Sequence, residues 1–403
     1  MRCLIRLLAS LVRSGVFLVL AGVGVFGCSM CPSGGPPPLP DAPTLIQTGY
    51  HAVEPSSDKG LSDALSMPAL LPPGGTRPQQ ILAVSGGVAG VPFTAGVLVG
   101  WTKSGTRPVF DQVTGISSGS LVGSYAFLGP KYDAQMRELI LTLNTADLIR
   151  FRPLRCMLWD GAFGSAKPAE RLIDRAYDDG FMDDLRRAYA EGRRIFVGTM
   201  NLETRRLAVW DLGAIASSGR PDANELVRKV LLAAVSWPGA VPPVAFDVEV
   251  NGRCYREEHC DAGSVAMVMP PLGPLSGCPA GSDIYVLASR KLYSDPVCVR
   301  KSAICRLKPC ITAFFEALTR ADINRLHSLC MLCGAHFHLL ALPQTYHGEP
   351  PSITNLYPKE APKLFEAGYQ IGANGPCWRF TPPGAEPGEE AVPHDGRGIK
   401  ICR

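Results

Sequence analysis

Ser117 stands at the centre of Gly115-Ile116-Ser117-Ser118-Gly119, a G-x-S-x-G pattern. Such spacing suits a serine on a sharp strand-to-helix turn, where small flanking residues let backbone and helix approach without a Cβ clash. The turn would expose the Ser117 hydroxyl at a helix N-terminus, whose amides and dipole favour developing negative charge. Ser118 and Ser120 lie off the central position. A plain strand–helix turn is the simpler reading of the same five residues. A carboxylate able to take the serine proton occurs at Asp261, in Asp261-Ala262-Gly263; by itself it also reads as a turn residue at the end of a hairpin. A third segment, Ser85-Gly86-Gly87-Val88-Ala89-Gly90, follows an apolar run and opens a helix. It lacks both G-x-G-x-x-G and G-x-x-x-x-G-K-[ST], the phosphate-binding patterns. The amides of Gly86, Gly87 and Val88 could instead face an oxyanion, where loss of one donor costs about 2.7–4 kcal/mol of barrier in a measured protease. An ordinary tight turn remains the alternative.

These residues require elements that hold them. Ile81 to Val84 reads as a buried strand feeding the glycine turn, with a helix from about Pro92 to Lys103 and a stop at Gly105. A strand at 110–114 leads into the serine turn, and Leu121, Val122, Tyr125 and Ala126 mark one face of the helix after it. Helices are expected at 132–145, 168–178, 183–191, 222–236, 311–327 and 360–369, and strands at 195–200, 207–212, 284–288 and 337–342. Strands at 246–250 and 253–257 flank Asn251-Gly252, a type I′ hairpin signal, and bring the chain to Asp261. Alternating strands and helices predict an α/β class fold with three layers, α/β/α, around a mostly parallel sheet.

The chain has 403 residues, enough for a large buried core, and 46% hydrophobic against 19% charged residues excludes a disordered chain. A formal charge of +4 without a long basic run argues against a nucleic-acid partner. Arg2, Arg6 and Arg13 precede the short apolar run Val16 to Phe26, which reads as an export signal over 1–27; an uncleaved membrane anchor is the alternative. Val25-Phe26-Gly27-Cys28 resembles a bacterial lipobox, with Cys28 as the residue to be acylated, so the expectation is an exported lipoprotein of the bacterial cell envelope, held at a membrane surface. Residues 28–77 are rich in proline, glycine and serine and read as a tether, residues 78–380 as the folded domain, and 381–403 as a flexible tail. Of 14 cysteines, Cys330-x-x-Cys333 with His336 and His338 does not have a standard zinc spacing; a disulfide or buried thiols fit it better, and the histidine segment reads as a strand.

The stretches ILAVSGGVAGVPFTAGVLVGW, VTGISSGSLVGSYAFLGPKYD, RRIFVGTMNLETRRLAVWDLGAIASSGRP, LLAAVSWPGAVPPV, DAG and LFEAGYQIG together resemble the bacterial patatin-like phospholipase family across about residues 80–378. The resemblance implies an α/β/α fold and an acyl-ester hydrolase acting on lipids, like a phospholipase A or lysophospholipase. It implies Ser117 as nucleophile, Asp261 as its base, and Gly86 and Gly87 in the oxyanion loop, through an acyl-enzyme with no metal or organic cofactor. Val88 stands where a third glycine is usual, so a positive φ there would be strained, and Gly90 and Ala262 also depart from the pattern. Two other readings stay open. One is a Ser–His–Asp esterase drawing on His259, His327, His336, His338 or His347; the other is a patatin-fold lipid-binding protein without turnover.

Overall fold

The computed structural model describes residues 52–53, 77–151, 162–250, 253–271, 279–299, 301–347 and 360–389. The leader with Cys28, nearly all of the 28–77 segment and residues 390–403 lie outside the described residues.

In chain order the elements are β1 (Ala52–Val53), β2 (Gln80–Val84), α1 (Val91–Lys103), β3 (Gln112–Ile116), α2 (Ser118–Leu128), α3 (Asp133–Thr142), α4 (Thr145–Leu148), β4 (Arg150–Phe151) and β5 (Gly164–Ser165). Then come α5 (Lys167–Ala176), α6 (Asp179–Ala190), β6 (Arg194–Asn201), β7 (Arg206–Asp211), α7 (Leu212–Ala216), α8 (Ala223–Val235), β8 (Val244–Val250) and β9 (Arg253–Asp261). The last are β10 (Asp283–Ala288), α9 (Ala303–Cys333), β11 (His336–Ala341) and α10 (Ala361–Ala373). The single helix expected at 132–145 is instead two, because Asn144 breaks the first and caps the second, its side chain accepting from the Ala146 amide. The helix expected at 311–327 starts eight residues earlier and runs through Pro309. A proline near a helix start removes only one intrahelical bond from a helix of 31 residues. Within the stretch expected to be a tether, Ala52 and Val53 pair with Trp210 and Val209 of β7.

A central sheet of nine strands, among the described residues, carries the fold. The strands β11, β10, β2, β3 and β6 lie side by side, all parallel. Antiparallel β7 follows β6, and β1 lies on β7. The alternation of side chains along β2 sorts the helices into layers. Ile81 and Ala83 join Ile323, Leu326 and Cys330 of α9 in one core, while Leu82 and Val84 join α1, α2, α8 and α10 in another. The expected α/β/α sandwich with a mostly parallel sheet is therefore the one observed. On its thicker side α1 and α10 touch backbone to backbone: a Cβ on Gly96 would lie 2.0 Å from the Phe365 carbonyl oxygen, and one on Gly368 2.1 Å from that of Phe93. No helix among the described residues is long and apolar enough to cross a membrane.

The register of β9 sets where Asp261 lies. On one edge of β6, β3 occupies the rungs up to Ile116 opposite Gly198. The next rung of β6, Thr199, is taken by Asp261 from β9. Strand β9 thus meets the end of β3 head-on along a shared neighbour, and this register brings two residues far apart in sequence to one point.

Candidate active site

Ser117 leaves β3 and precedes α2 with φ 53° and ψ −133°, a conformation that L-residues rarely adopt. The strained turn holds because its surroundings leave no alternative. A Cβ on Gly115 would lie 2.6 Å from the Ser120 Cα, and one on Gly119 2.5 Å from the Ser85 carbonyl oxygen. The two glycines of G-x-S-x-G are therefore there for close approach, and α2 starts tight against the end of β2.

The Ser117 hydroxyl donates to Asp261 Oδ2 at 2.5 Å. Asp261 is fixed on three sides. Its amide donates to the Ser236 carbonyl at 2.9 Å, its Oδ1 accepts from the Gly263 amide at 2.8 Å, and its backbone is the last rung of β9. At 7% exposure the carboxyl is nearly sealed from water. Burial pushes its pKa up to about 6, against the smaller opposing pull of the Ser117 and Gly263 hydrogen bonds. A carboxylate poised near 6 accepts a proton from a hydroxyl more readily than one near the ordinary 3.8.

The glycine loop lies against the serine: a Cβ on Gly86 would stand 3.1 Å from the Ser117 Cβ. Its three amides do different things. Gly86 N–H donates to the Met267 carbonyl at 3.0 Å, so it ties down the loop, and the amides of Gly87 and Val88 are not donors in any backbone bond of the loop. Gly87 carries the positive φ, 136°. Val88 is not among the residues with positive φ, so the strain that its β-branched side chain would suffer there does not arise. Gly90 meets a different demand, since a Cβ there would fall 1.4 Å from the Ser289 carbonyl oxygen. The first amides of α2, beginning with Ser118, have no partner inside their own helix. Ser120 N–H is spent on the Ser117 carbonyl at 2.9 Å, whereas the amides of Gly87, Val88 and Ser118 donate in none of these backbone bonds, so these three are N–H groups near Ser117 that could serve a negatively charged oxygen.

Several supports carry no sequence signal as strong as the motif. Asp322 of α9 accepts from the amides of Met267 and Val268 at 2.7 and 3.0 Å, and Met267 in turn receives Gly86. Ser289, just past β10, donates its amide to Ser85 Oγ at 2.8 Å and shares a hydroxyl hydrogen bond with Thr94 at 2.9 Å. Their one shared clue is position: Ser85, Ser117 and Ser289 each follow directly on β2, β3 or β10, and ligands of open α/β sheets bind outside the carboxyl ends of strands.

The histidines are elsewhere. His259 is buried between Thr199 Oγ1 at 2.9 Å and Glu257 at 3.2 Å. His336 and His338 reach Asp283, His347 reaches Asp295, and His327 packs edge-on against Phe337. A shallow hollow of about 300 Å³ lined by His327, Met331, Phe337 and His338 lies by the amino end of β11, at the opposite end of the sheet from Ser85 and Ser289. Cys330 is on α9 and His336 on β11, and no group of three or more His, Cys, Asp or Glu among the described residues could hold a metal ion.

Residues 82–272 match the family model of patatin-like phospholipases. A crystal structure of VipD from Legionella pneumophila aligns with a TM-score of 0.38 at 12% identity, covering 74% of this chain and 66% of that one, just under two thirds of its length. No curated protein matches this chain.

Proposed function

We propose that this chain, whose residues 82–272 form a patatin-like phospholipase domain, is a serine acyl-ester hydrolase that works through a Ser117–Asp261 dyad. The observation that carries the reading is the 2.5 Å hydrogen bond from the strained Ser117 hydroxyl to the buried Asp261 carboxylate. In this mechanism Asp261 takes the Ser117 proton as the Oγ attacks the ester carbonyl carbon. The carbonyl oxygen becomes an oxyanion facing the amides of Gly87, Val88 and Ser118. Collapse expels the alcohol, protonated by Asp261, and leaves the acyl group on Ser117. Asp261 then deprotonates a water that attacks the acyl-enzyme, releasing a fatty acid and restoring the hydroxyl. Lipid esters are the substrate class that the domain supports, with phospholipase A or lysophospholipase action as the specific reaction. Acylation at Cys28 would hold the enzyme at a bacterial envelope membrane beside such substrates, and labelled palmitate incorporated by the wild type and not by Cys28→Ser tests that attachment.

A fluorophosphonate probe tests the hydrolase directly. The wild type takes the label and cleaves acyl esters, whereas Ser117→Ala does neither, with turnover down at least ~1,000-fold. An unlabelled wild type of native fold would reject the enzyme in favour of a lipid-binding protein.

A further inference from the structure

Next to the glycine loop lies a cation that the dyad mechanism does not use. Arg290 follows Ser289 at the carboxyl end of β10. Its guanidinium stands against Gly87, where a Cβ would meet Arg290 Nε at 3.6 Å and Nη2 at 3.7 Å. Gly86, the preceding residue, touches Ser117. The charge therefore sits one residue along the same loop from the serine. Arg290 Nε is sealed from solvent and has no hydrogen-bond partner. The one described ring over which the guanidinium lies is Phe315, 5.7 Å from its centroid. The nearest carboxylate to act on it is Glu316, and that group is already taken by the amide and hydroxyl of Ser294. Burial of a guanidinium with an idle N–H is costly unless an anion completes it. Arginine presents parallel donors that match two oxygens of a phosphate.

We propose that Arg290 is a specificity-determining residue that receives the phosphate of a phospholipid headgroup while the acyl ester lies at Ser117. This rests on the hydrolase reading above. A glycerophospholipid carries its phosphate a few bonds from its ester carbonyls, so one molecule spans both points. A neutral glyceride leaves the Arg290 charge uncompensated and is the poorer substrate. Phe314, exposed and packed against Phe315, gives the approach to Arg290 an apolar flank for the lipid body.

The test compares phosphatidylglycerol with diacylglycerol of identical acyl chains in neutral detergent micelles. Arg290→Met lowers the ratio of the two kcat/KM values at least tenfold, and Arg290→Lys, which keeps the charge, restores part of it. A ratio within twofold of the wild type in a variant that still takes the fluorophosphonate label overturns the proposal. Should Arg290→Met not fold, calorimetric titration of Ser117→Ala with sn-glycerol 3-phosphate, glycerol and inorganic phosphate decides. Binding of glycerol 3-phosphate well above both others supports a headgroup site. Equal binding of inorganic phosphate indicates a free-anion site and overturns the headgroup assignment, as does no binding at all. A wild type that ignores the fluorophosphonate but binds glycerol 3-phosphate separates failure of the hydrolase from failure of Arg290.

Discussion

At the scale of single residues, the decisive property is that Asp261 is buried and, in the proposed mechanism, has to be charged. Its pKa near 6 predicts that kcat/KM on a soluble ester falls on the acid side with an apparent midpoint near pH 6; a midpoint near 4 would deny the carboxyl its role as base. The same burial makes the charged form a burden on the fold. A carboxyl whose folded pKa is raised binds its proton more tightly when folded, so stability declines as pH rises from about 4 to about 6. Asp211, which burial also pushes up to about 6, adds to that decline. Asp261→Asn removes the charge and keeps an acceptor for the Gly263 amide. The expected outcome is an inactive protein more stable than the wild type at pH 7 by about 3 kcal/mol, since the rise from 3.8 to about 6 is about two pKa units of about 1.4 kcal/mol each. Denaturant unfolding at pH 7 and pH 4.5 measures it, with the difference shrinking at the lower pH. Both members of this pair were legible in the sequence, Ser117 from its glycine spacing and Asp261 from the motif order. The division of labour within the loop was not. Gly86, read as an oxyanion donor, spends its N–H on Met267, and the feared strain at Val88 falls on Gly87, because backbone φ and hydrogen-bond direction leave no mark on residue type beyond glycine itself.

At the scale of elements, the site is a meeting of strand ends braced from the far layer. Helix α9 reaches the loop through Asp322, which holds the Met267 amide, whose carbonyl holds Gly86. Asp322→Ala strands two buried amides, each worth roughly 1–3 kcal/mol. The expected result is a lower melting temperature together with a kcat reduced roughly tenfold and little change in KM, as befits a residue that positions the loop without touching substrate. On the other layer, Gly368→Val would drive a side chain into the Phe93 carbonyl. Overpacking of that kind costs about 1–3 kcal/mol or more, readable as a fall in the denaturation midpoint. Short apolar runs bounded by glycine made the parallel strands legible, and the Asn251-Gly252 signal located β8 and β9. What could not be read was that β9 continues to Asp261 and lands on β6 beside the end of β3, since that pairing is set by tertiary register and not by local pattern. The extent of α9 through Pro309 was hidden for a similar reason: helix propensity argues for a stop there, and burial of Ile323, Leu326 and Cys330 against the sheet prevails.

For the whole molecule, the segment matched as patatin-like ends at residue 272, yet the sheet does not. Strand β10 lies between β2 and β11, and α10 packs on α1. A shortened protein stopping at residue 272 is expected to be insoluble or to lack ester hydrolysis, because it exposes the apolar edge of β2 and one face of the sheet; sedimentation and fluorophosphonate labelling check this. The sequence foretold the layered architecture well, for alternation along β2 and β10 is a property of the strands themselves. It could not foretell that α10 would seal α1. During synthesis that arrangement imposes an order in time. Ser117 and Asp261 leave the ribosome long before the residues that close the sheet around them, so the nascent chain carries an unfinished edge until β10 emerges and an uncovered α1 until α10 does. The fold is thus complete only once both have emerged, and the unpaired β2 edge is where association with other chains would begin in the interval.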